Sequence, residues 1–559
     1  MIWHIGNTTI RNPNRLKNFI TAYAKYGPIK GIFEASNSQA QIKLFDIASN
    51  ANVINSKASS NEDKAFYGRK IRLALKEFGL VASMSLNSYS SDEITETGKC
   101  LIDADTDIAI LNVYQRIIYN LETRKKGYLH TFRPIPLIIQ ILEELEKLSS
   151  SSYISRNEFA LIIQNYEKKY IPIDYVNEIL KLRDEADKNK GKLKEFYKIK
   201  FLELAEKTKK SVTTIKNDYP DVTIRSLLLS QIFIEKGKGI RFNPQYKKLI
   251  SIFAADNNLS SDEKTYYEKL ANLPPLPFDT NKDVLYRLTQ ENYEEFMQKE
   301  KINKEIIQKP NIDMTINELE LIRLRQNEIT FQTNEDEFAY QQRNKGDVIS
   351  KWFECLIHPK HKKINFEDEY IDFDSEDRPQ YLEWVVWRAF LSINCLSNKP
   401  YHSRKFKLDG NFKPINHAPP GVPDLLFEFE DFNLVVEVTF LSSSRQVANE
   451  GEPVRRHVAE ISDKSSKPTY CLFLAPKIDI NTLDDFKNKE YYILSNNVRP
   501  TVKIIPLELD IFIQFFNSIH KAEPGNPKLI LKIIKNCFDN TKLSENKWQD
   551  YINSQFMSI

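Results

Sequence analysis

The sequence predicts a multidomain α+β protein: a helical, winged-helix-like N-terminal region joined to a C-terminal α/β domain. Three observations carry that reading. The chain has 559 residues, and single hydrophobic cores stop growing beyond about 250–300 residues. Basic charge is concentrated at the front, where residues 1–90 hold 12 Lys and Arg against 5 Asp and Glu although the whole chain carries only +3. Far downstream, Leu425 to Leu441 reads as two apolar runs around a turn, a β-hairpin signature.

Composition removes several function classes. An apolar share of 41% with 28% charged residues is that of a folded chain. No apolar run approaches the roughly 20 residues a bilayer span needs. The start, MIWHIGNTTIRNPNRL, lacks the features of a secretory signal, so a cytoplasmic location is expected. Cys100, Cys355, Cys395, Cys471 and Cys537 form no CxxC pair, which argues against a disulfide framework or a zinc ribbon. Cys355, His358 and His361 lack an evident fourth ligand, so zinc is not expected there. Neither GxxxxGK[ST] nor GxGxxG occurs, which removes the P-loop and dinucleotide fingerprints. The basic front points to a polyanion partner, with a merely solvated face as the alternative.

Taken in order, Phe66–Leu80 places Ile71, Leu75 and Phe78 on one helical face and Arg69, Arg72 and Lys76 on another. With Lys70, these are the candidate DNA contacts. Gly79 ends the helix, and Ile94–Ile102 reads as a short strand or turn leading into the next helix. Residues 1–130 are therefore expected to form a winged-helix-like recognition subdomain. A second such subdomain is expected over 131–271. There Arg133–Leu148 is helical, Ser155 and Glu158 form a capping box, and Arg225–Pro244 reads as helix, strand, Lys-Gly-Lys-Gly turn and strand. NLPPLPFDTNK combines three prolines with polar residues and predicts a linker over 272–310. Residues 311–559 remain for the last domain.

The chemistry concentrates in GVPDLLFEFEDFNLVVEVTFL, Gly421 to Leu441. A turn at Glu430–Asn433 brings Asp424 and Glu437 opposite each other at the hairpin base. Glu437 interrupts an apolar run, and burying it without a partner costs several kcal/mol. Mg²⁺ is a natural partner, because it takes hard oxygen ligands and needs only a few protein carboxylates beside its waters. The Val438 carbonyl is a candidate third ligand. Alternation points Thr439 into the same site. Glu383, near the start of the helix Pro379–Asn394, and Gln446 and Glu450, one turn apart after the hairpin, are placed to join it. Four acids from helix, strand, strand and helix are thus expected to converge.

Helix-Glu, Pro-Asp, apolar hairpin and Glu-x-x in this order resemble the PD-(D/E)xK nuclease superfamily. More narrowly, the sequence resembles the AlwI-like family of type IIS restriction endonucleases. WHIGNTTIRNPNRL (Trp3–Leu16), RPIP (Arg133–Pro136), YLEWVVWRAFL (Tyr381–Leu391), the hairpin, SSRQVANEGEPVRRHV and LFLAPKID (Leu472–Asp479) carry that match. The resemblance implies a DNA-recognition region joined to a PD-(D/E)xK cleavage domain that cuts at a fixed distance outside a short asymmetric site. It matches Asp424 and Glu437 to the metal-binding acids, Glu450 to the acid of the next helix and Glu383 to the helix glutamate. Arg445 and Gln446 are then candidates for the scissile-strand phosphates. Thr439 departs from the superfamily, standing where the lysine of ExK is expected. The implied partners are double-stranded DNA, a transient homodimer or small nuclease subunit for second-strand cutting, and a cognate DNA methyltransferase in a prokaryotic cytoplasm. A strand-specific nicking enzyme or the large subunit of a heterodimeric restriction enzyme, a non-catalytic DNA-binding regulator, and a repair or recombination nuclease of the same superfamily are the other readings.

Overall fold

The computed structural model describes the chain except residues 1, 27–36, 51–52, 54–59, 125–130, 150–152, 166–170, 237–238, 280, 300–303, 359–362, 368, 374–376, 394, 420, 523–525 and 559. His361 and the middle of the Lys-Gly-Lys-Gly turn lie outside the described residues. Two compact units emerge: Met1–Ile329 with Asp409–Asn411, and Thr330–Leu408 with Phe412–Ile559. The division falls later than the expected 310/311 limit, inside the helix Ile316–Gln341. Among the described residues no helix is long and apolar enough to cross a membrane.

The first unit joins what the sequence reading separates into 1–130, 131–271 and the start of 272–310. Trp3 packs edge-on against Phe132 and Phe159, with centroids 5.3 and 6.1 Å away, and its indole N–H donates to the Ile163 carbonyl at 2.7 Å. That N-terminal strap and the Arg133 region therefore share one core. The expected linker is packed as well. Leu276 and Phe278 are buried between the prolines, and Asp279 is paired with Arg116. Prolines exclude regular structure, but they leave intervening apolar side chains free to be buried.

Helix α1 (Asn61–Glu77) starts where the Ser60 hydroxyl caps the Asp63 N–H at 3.1 Å, with Glu62 and Asp63 in the first turn. It stops at Gly79, whose φ of +66° favours glycine. Its inner face is Ala65, Gly68, Ile71, Ala74 and Leu75. A Cβ on Gly68 would lie 1.9 Å from the Gln41 carbonyl oxygen, so only glycine permits the close approach of helix Ser38–Asn50. The segment after α1 forms only a single bridge, Val81 to Ile94, where a wing was expected, before helix Glu96–Asp103. The second subdomain does contain a hairpin, Phe233–Lys236 with Gly239–Phe242, joined by Tyr153–Ile154. The Ser155–Glu158 capping box is present in full.

The second unit is built on a four-stranded sheet, β1 (Leu425–Glu428), β2 (Asn433–Val438), β3 (Thr469–Ala475) and β4 (Ile504–Glu508), in that spatial order. β1 and β2 are antiparallel, and the β2–β3 and β3–β4 pairs are parallel. Helices cover both faces, which is why β3 is buried along its whole length. On one face Phe390 of α2 (Arg378–Ile393) stacks on Phe427 at 4.4 Å. On the other, Val454 and Val458 of α3 (Arg445–Lys464) join a core with Val435, Cys471 and Phe473.

Candidate active site

The hairpin turn is held by the Phe429 N–H donating to the Phe432 carbonyl at 2.9 Å and by the stacking of those rings. It sets the register Leu425↔Val436, Leu426↔Val435, Phe427↔Leu434. One step further along, Asp424 faces Glu437, as the hairpin arithmetic requires. The Val438 N–H donates to Asp424 Oδ2 at 2.9 Å, and the Asp424 N–H approaches Glu437 Oε2 at 3.4 Å. Strand alternation puts this pair on the face that Leu426 and Val435 share with α3.

Electrostatically the cluster is a trap of like charges. Burial pushes the Asp424 carboxyl well above the carboxylate range, the charges of Glu383 and Glu437 add to it, and only the Val438 N–H works strongly the other way. Glu450 is raised too, by burial first, opposed by a hydrogen bond with the Thr439 side chain. The threonine in the expected lysine position is thus tied to Glu450 and brings no positive charge.

Two histidines answer the acids. His457 of α3 places Nδ1 2.7 Å from Glu437 Oε1 and is itself buried. Its position seven residues, two helical turns, after Glu450 is the signal that places both on one face. His417 places Nδ1 2.9 Å from Glu383 Oε1, and the Ala418 N–H donates to Glu383 Oε2 at 2.9 Å. Nothing in the linear pattern singles out His417, since its partner lies on a helix far upstream.

Other expected residues are placed differently. Gln446 is fully buried and spent on the backbone: its amide donates to the carbonyls of Leu441 and Lys477 at 2.8 and 3.1 Å, and its oxygen accepts from the Asp479 N–H at 2.9 Å. It is a structural clamp with no donor left for a phosphate. Arg445 is exposed at the start of α3. In the first unit, Lys76 is buried, paired with Asp92 at 2.5 Å and donating to the Ser83 carbonyl at 3.0 Å, so it belongs to the inner face of α1. Arg72 is half-buried, its guanidinium pKa lowered by burial and supported by Asp92. Arg69 and Lys70 flank the exposed ring of Phe66, 5.9 and 5.3 Å from its centroid.

Among the described residues no group of three or more His, Cys, Asp or Glu side chains is placed to hold a metal ion. A cation at the hairpin base would rest on the Asp424–Glu437 pair, backbone oxygen and solvent.

A family model described as AlwI restriction endonuclease matches residues 76–515, which makes the protein a restriction endonuclease. The chain belongs to the AlwI restriction endonuclease family. It is thereby a site-specific, DNA-binding nuclease. The match takes in the RPIP, YLEWVVWRAFL, hairpin and LFLAPKID segments, while Trp3–Leu16 precedes it. Among solved structures, the chain is similar to the small subunit of the heterodimeric restriction endonuclease R.BspD6I. That likeness has a TM-score of 0.30 and 26% identity, covering 38% of this chain and 99% of that one. It is also similar to the BpuJ1 endonuclease binding domain in complex with pyrene- and phenanthrene-modified DNA, with a TM-score of 0.29 and 12% identity, covering 44% and 88%. No curated protein matches the chain.

Proposed function

We propose that the chain is a Mg²⁺-dependent type IIS endonuclease with a PD-(D/E)xK centre, cutting at a fixed distance outside a short asymmetric site. The observation that carries this reading is the register of Asp424 and Glu437 at the hairpin base, with the Val438 N–H holding Asp424 in place. The donor set fits Mg²⁺, which is usually held by one or two carboxylates with several retained waters. Asp424, Glu437 and the Val438 carbonyl would hold it. When bound it supplies Lewis-acid polarisation of a phosphoryl oxygen and a more acidic water. The chain itself contributes rigidity: His457 orients Glu437, and Thr439 orients Glu450. The apolar residues Val435, Cys471 and Phe473, on the α3 face of the sheet, lower the local dielectric and strengthen the electrostatic interactions at the site.

The described residues hold one such centre, so cutting both strands calls for a transient homodimer or a small nuclease subunit. A chain acting alone would nick one strand. Protection of host DNA falls to a cognate methyltransferase.

Incubation of supercoiled plasmid with the protein and Mg²⁺ or EDTA, followed by run-off sequencing of both strands, tests this reading. Metal-dependent cuts at a constant offset from one motif support it, on one strand for a nicking enzyme and on both for a self-sufficient one. Specific binding without cleavage in Mg²⁺ would favour a missing partner subunit or the non-catalytic regulator.

The outer face of α1 supplies a second expectation. Arg69→Ala and Lys70→Ala each weaken DNA binding and lower the slope of log affinity against log salt by about 1, as lost phosphate contacts do. Lys76→Met leaves that slope unchanged and lowers stability, because Asp92 loses its ion pair with a buried ammonium. Fluorescence anisotropy across a salt series, with thermal melts, checks all three. An unchanged slope for Arg69→Ala and Lys70→Ala would move the contact surface elsewhere.

A further inference from the structure

The outer face of α1 is not an ordinary polar surface. Phe66, Arg69 and Leu73 follow one another at helical spacing and all three are exposed, Phe66 by 42% and Leu73 by 44%. Single exposed apolar side chains are commonplace. Two on one stripe of one helix, with cations between and beside them, make a surface of defined chemistry. The opposite side of α1 is fixed, because Ile71, Ala74 and Leu75 are buried and Gly68 lets helix Ser38–Asn50 approach. Which residues α1 turns outward is therefore set by the core.

The cations of this face are available for a partner. Among the described residues Arg69 and Lys70 enter no ion pair, and what their charged ends approach is the Phe66 ring. Lys64, by contrast, is paired with Asp46 at 2.9 Å. From Lys64 to Lys76 the helix carries no acid. Such a face suits a partner that is anionic at its edges and apolar at points between them. The major groove of DNA has that pattern: phosphates line its rims, it is wide enough to admit an α-helix, and the apolar group on its floor is the thymine C5-methyl. Phe66 and Leu73 lie two helical turns apart, about 10 Å at 1.5 Å per residue. That separation matches about three base pairs at 3.4 Å each.

We propose that α1 enters the major groove and that Phe66 and Leu73 read thymine methyl groups about three base pairs apart, as specificity determinants of the nuclease. Arg69 and Lys70 reach the flanking phosphates and supply affinity that falls with salt. The two apolar side chains supply a part that depends on sequence and not on salt. This inference rests on the site-specific endonuclease reading and on α1 as its DNA contact surface, and it adds what that surface reads.

The test uses the full chain with Mg²⁺ omitted and fluorescence anisotropy on three kinds of duplex. These are the site selected from random-sequence DNA, a scrambled version, and a series in which each thymine of the site is replaced singly by uracil, which deletes only the methyl group. Both side chains are exposed, so Phe66→Ala and Leu73→Ala are expected to melt with wild type. Each weakens binding to the site by about fivefold or more, the cost of one mismatched base pair, with the salt slope and the affinity for the scrambled duplex unchanged. One uracil weakens wild type but not Phe66→Ala, and a second, about three positions away, weakens wild type but not Leu73→Ala. Binding of the site by either variant within twofold of wild type, an equal loss on the scrambled duplex, or indifference of wild type to every uracil overturns the inference. So does self-association without DNA that Phe66→Ala abolishes, which would make this face a contact between copies of the chain. If wild type still prefers its site in those cases, sequence-specific binding stands and only the Phe66 and Leu73 assignment is wrong; a wild type with no preferred site defeats the endonuclease reading as well.

Discussion

Asp424→Asn loses cleavage by at least about 10³-fold while retaining sequence-specific DNA binding, and it makes the metal-free protein more stable at neutral pH. The first effect follows from removing a carboxylate that would hold the cation, whose contribution is several kcal/mol at a factor of ten per about 1.4 kcal/mol. The second follows from the like charges around Asp424. Its folded-state pKa lies above the unfolded value, chiefly through burial and then through Glu383 and Glu437. A carboxyl raised on folding contributes stability that is present below its unfolded pKa and is lost as pH rises through the folded one. Asparagine has no charge to repel, so the gain in melting temperature grows with pH and shrinks when Mg²⁺ is added. Melts across pH 4 to 8 with EDTA or Mg²⁺, beside single-turnover cleavage, check both parts. Equal melting temperatures at every pH would remove the electrostatic argument.

Arg404→Ala is expected to have the largest effect on stability, costing the second unit about 3–5 kcal/mol. The guanidinium makes a two-point pair with Glu335 at 2.7 Å through both Nε and Nη2, with side chains 3% and 0% exposed, and Nη1 donates to the Phe406 carbonyl at 2.7 Å. Truncation leaves the Glu335 charge buried without its guanidinium, whereas replacing both partners by apolar residues of similar volume recovers much of the loss. Lys399 and Asp336 supply the contrast: 2.8 Å apart but 57% and 37% exposed, they are worth about 0–1 kcal/mol. Urea denaturation of Arg404→Ala, the double apolar variant and Lys399→Ala checks the order. A cost for Arg404→Ala no larger than that for Lys399→Ala would contradict it.

The hairpin site was legible because strand register is local arithmetic. A short turn fixes which residues face each other, and an acid inside an apolar run is conspicuous. What failed to read were contacts set by the three-dimensional path. Gln446 sits one turn before Glu450 and looks like a site residue, yet the path of the chain after β3 brings Lys477 and Asp479 to its amide. Lys76 falls on the basic side of an idealised helical wheel, but Asp92 in the following segment draws it inward. The proline-rich stretch reads as a linker from composition, whereas Leu276 and Phe278 are core residues. His417 is invisible to pattern because Glu383, on a helix far upstream, meets it only after folding. Thr439 shows the converse: its departure from the lysine motif is plain in the sequence, but its bond to Glu450 is not.

The proposed metal-dependent cleavage centre lies at the base of the β1–β2 hairpin, and metal-directed oxidation tests that location without relying on activity. Fe²⁺ substituted for Mg²⁺ generates short-lived radicals with ascorbate and peroxide, and peptide mass spectrometry then maps the damage. The predicted result is oxidation and chain breaks concentrated around Asp424 and Glu437–Val438, together with His417 and His457, suppressed by excess Mg²⁺ and absent in Asp424→Ala. Damage centred elsewhere, or an identical pattern in Asp424→Ala, would contradict the assignment of the site.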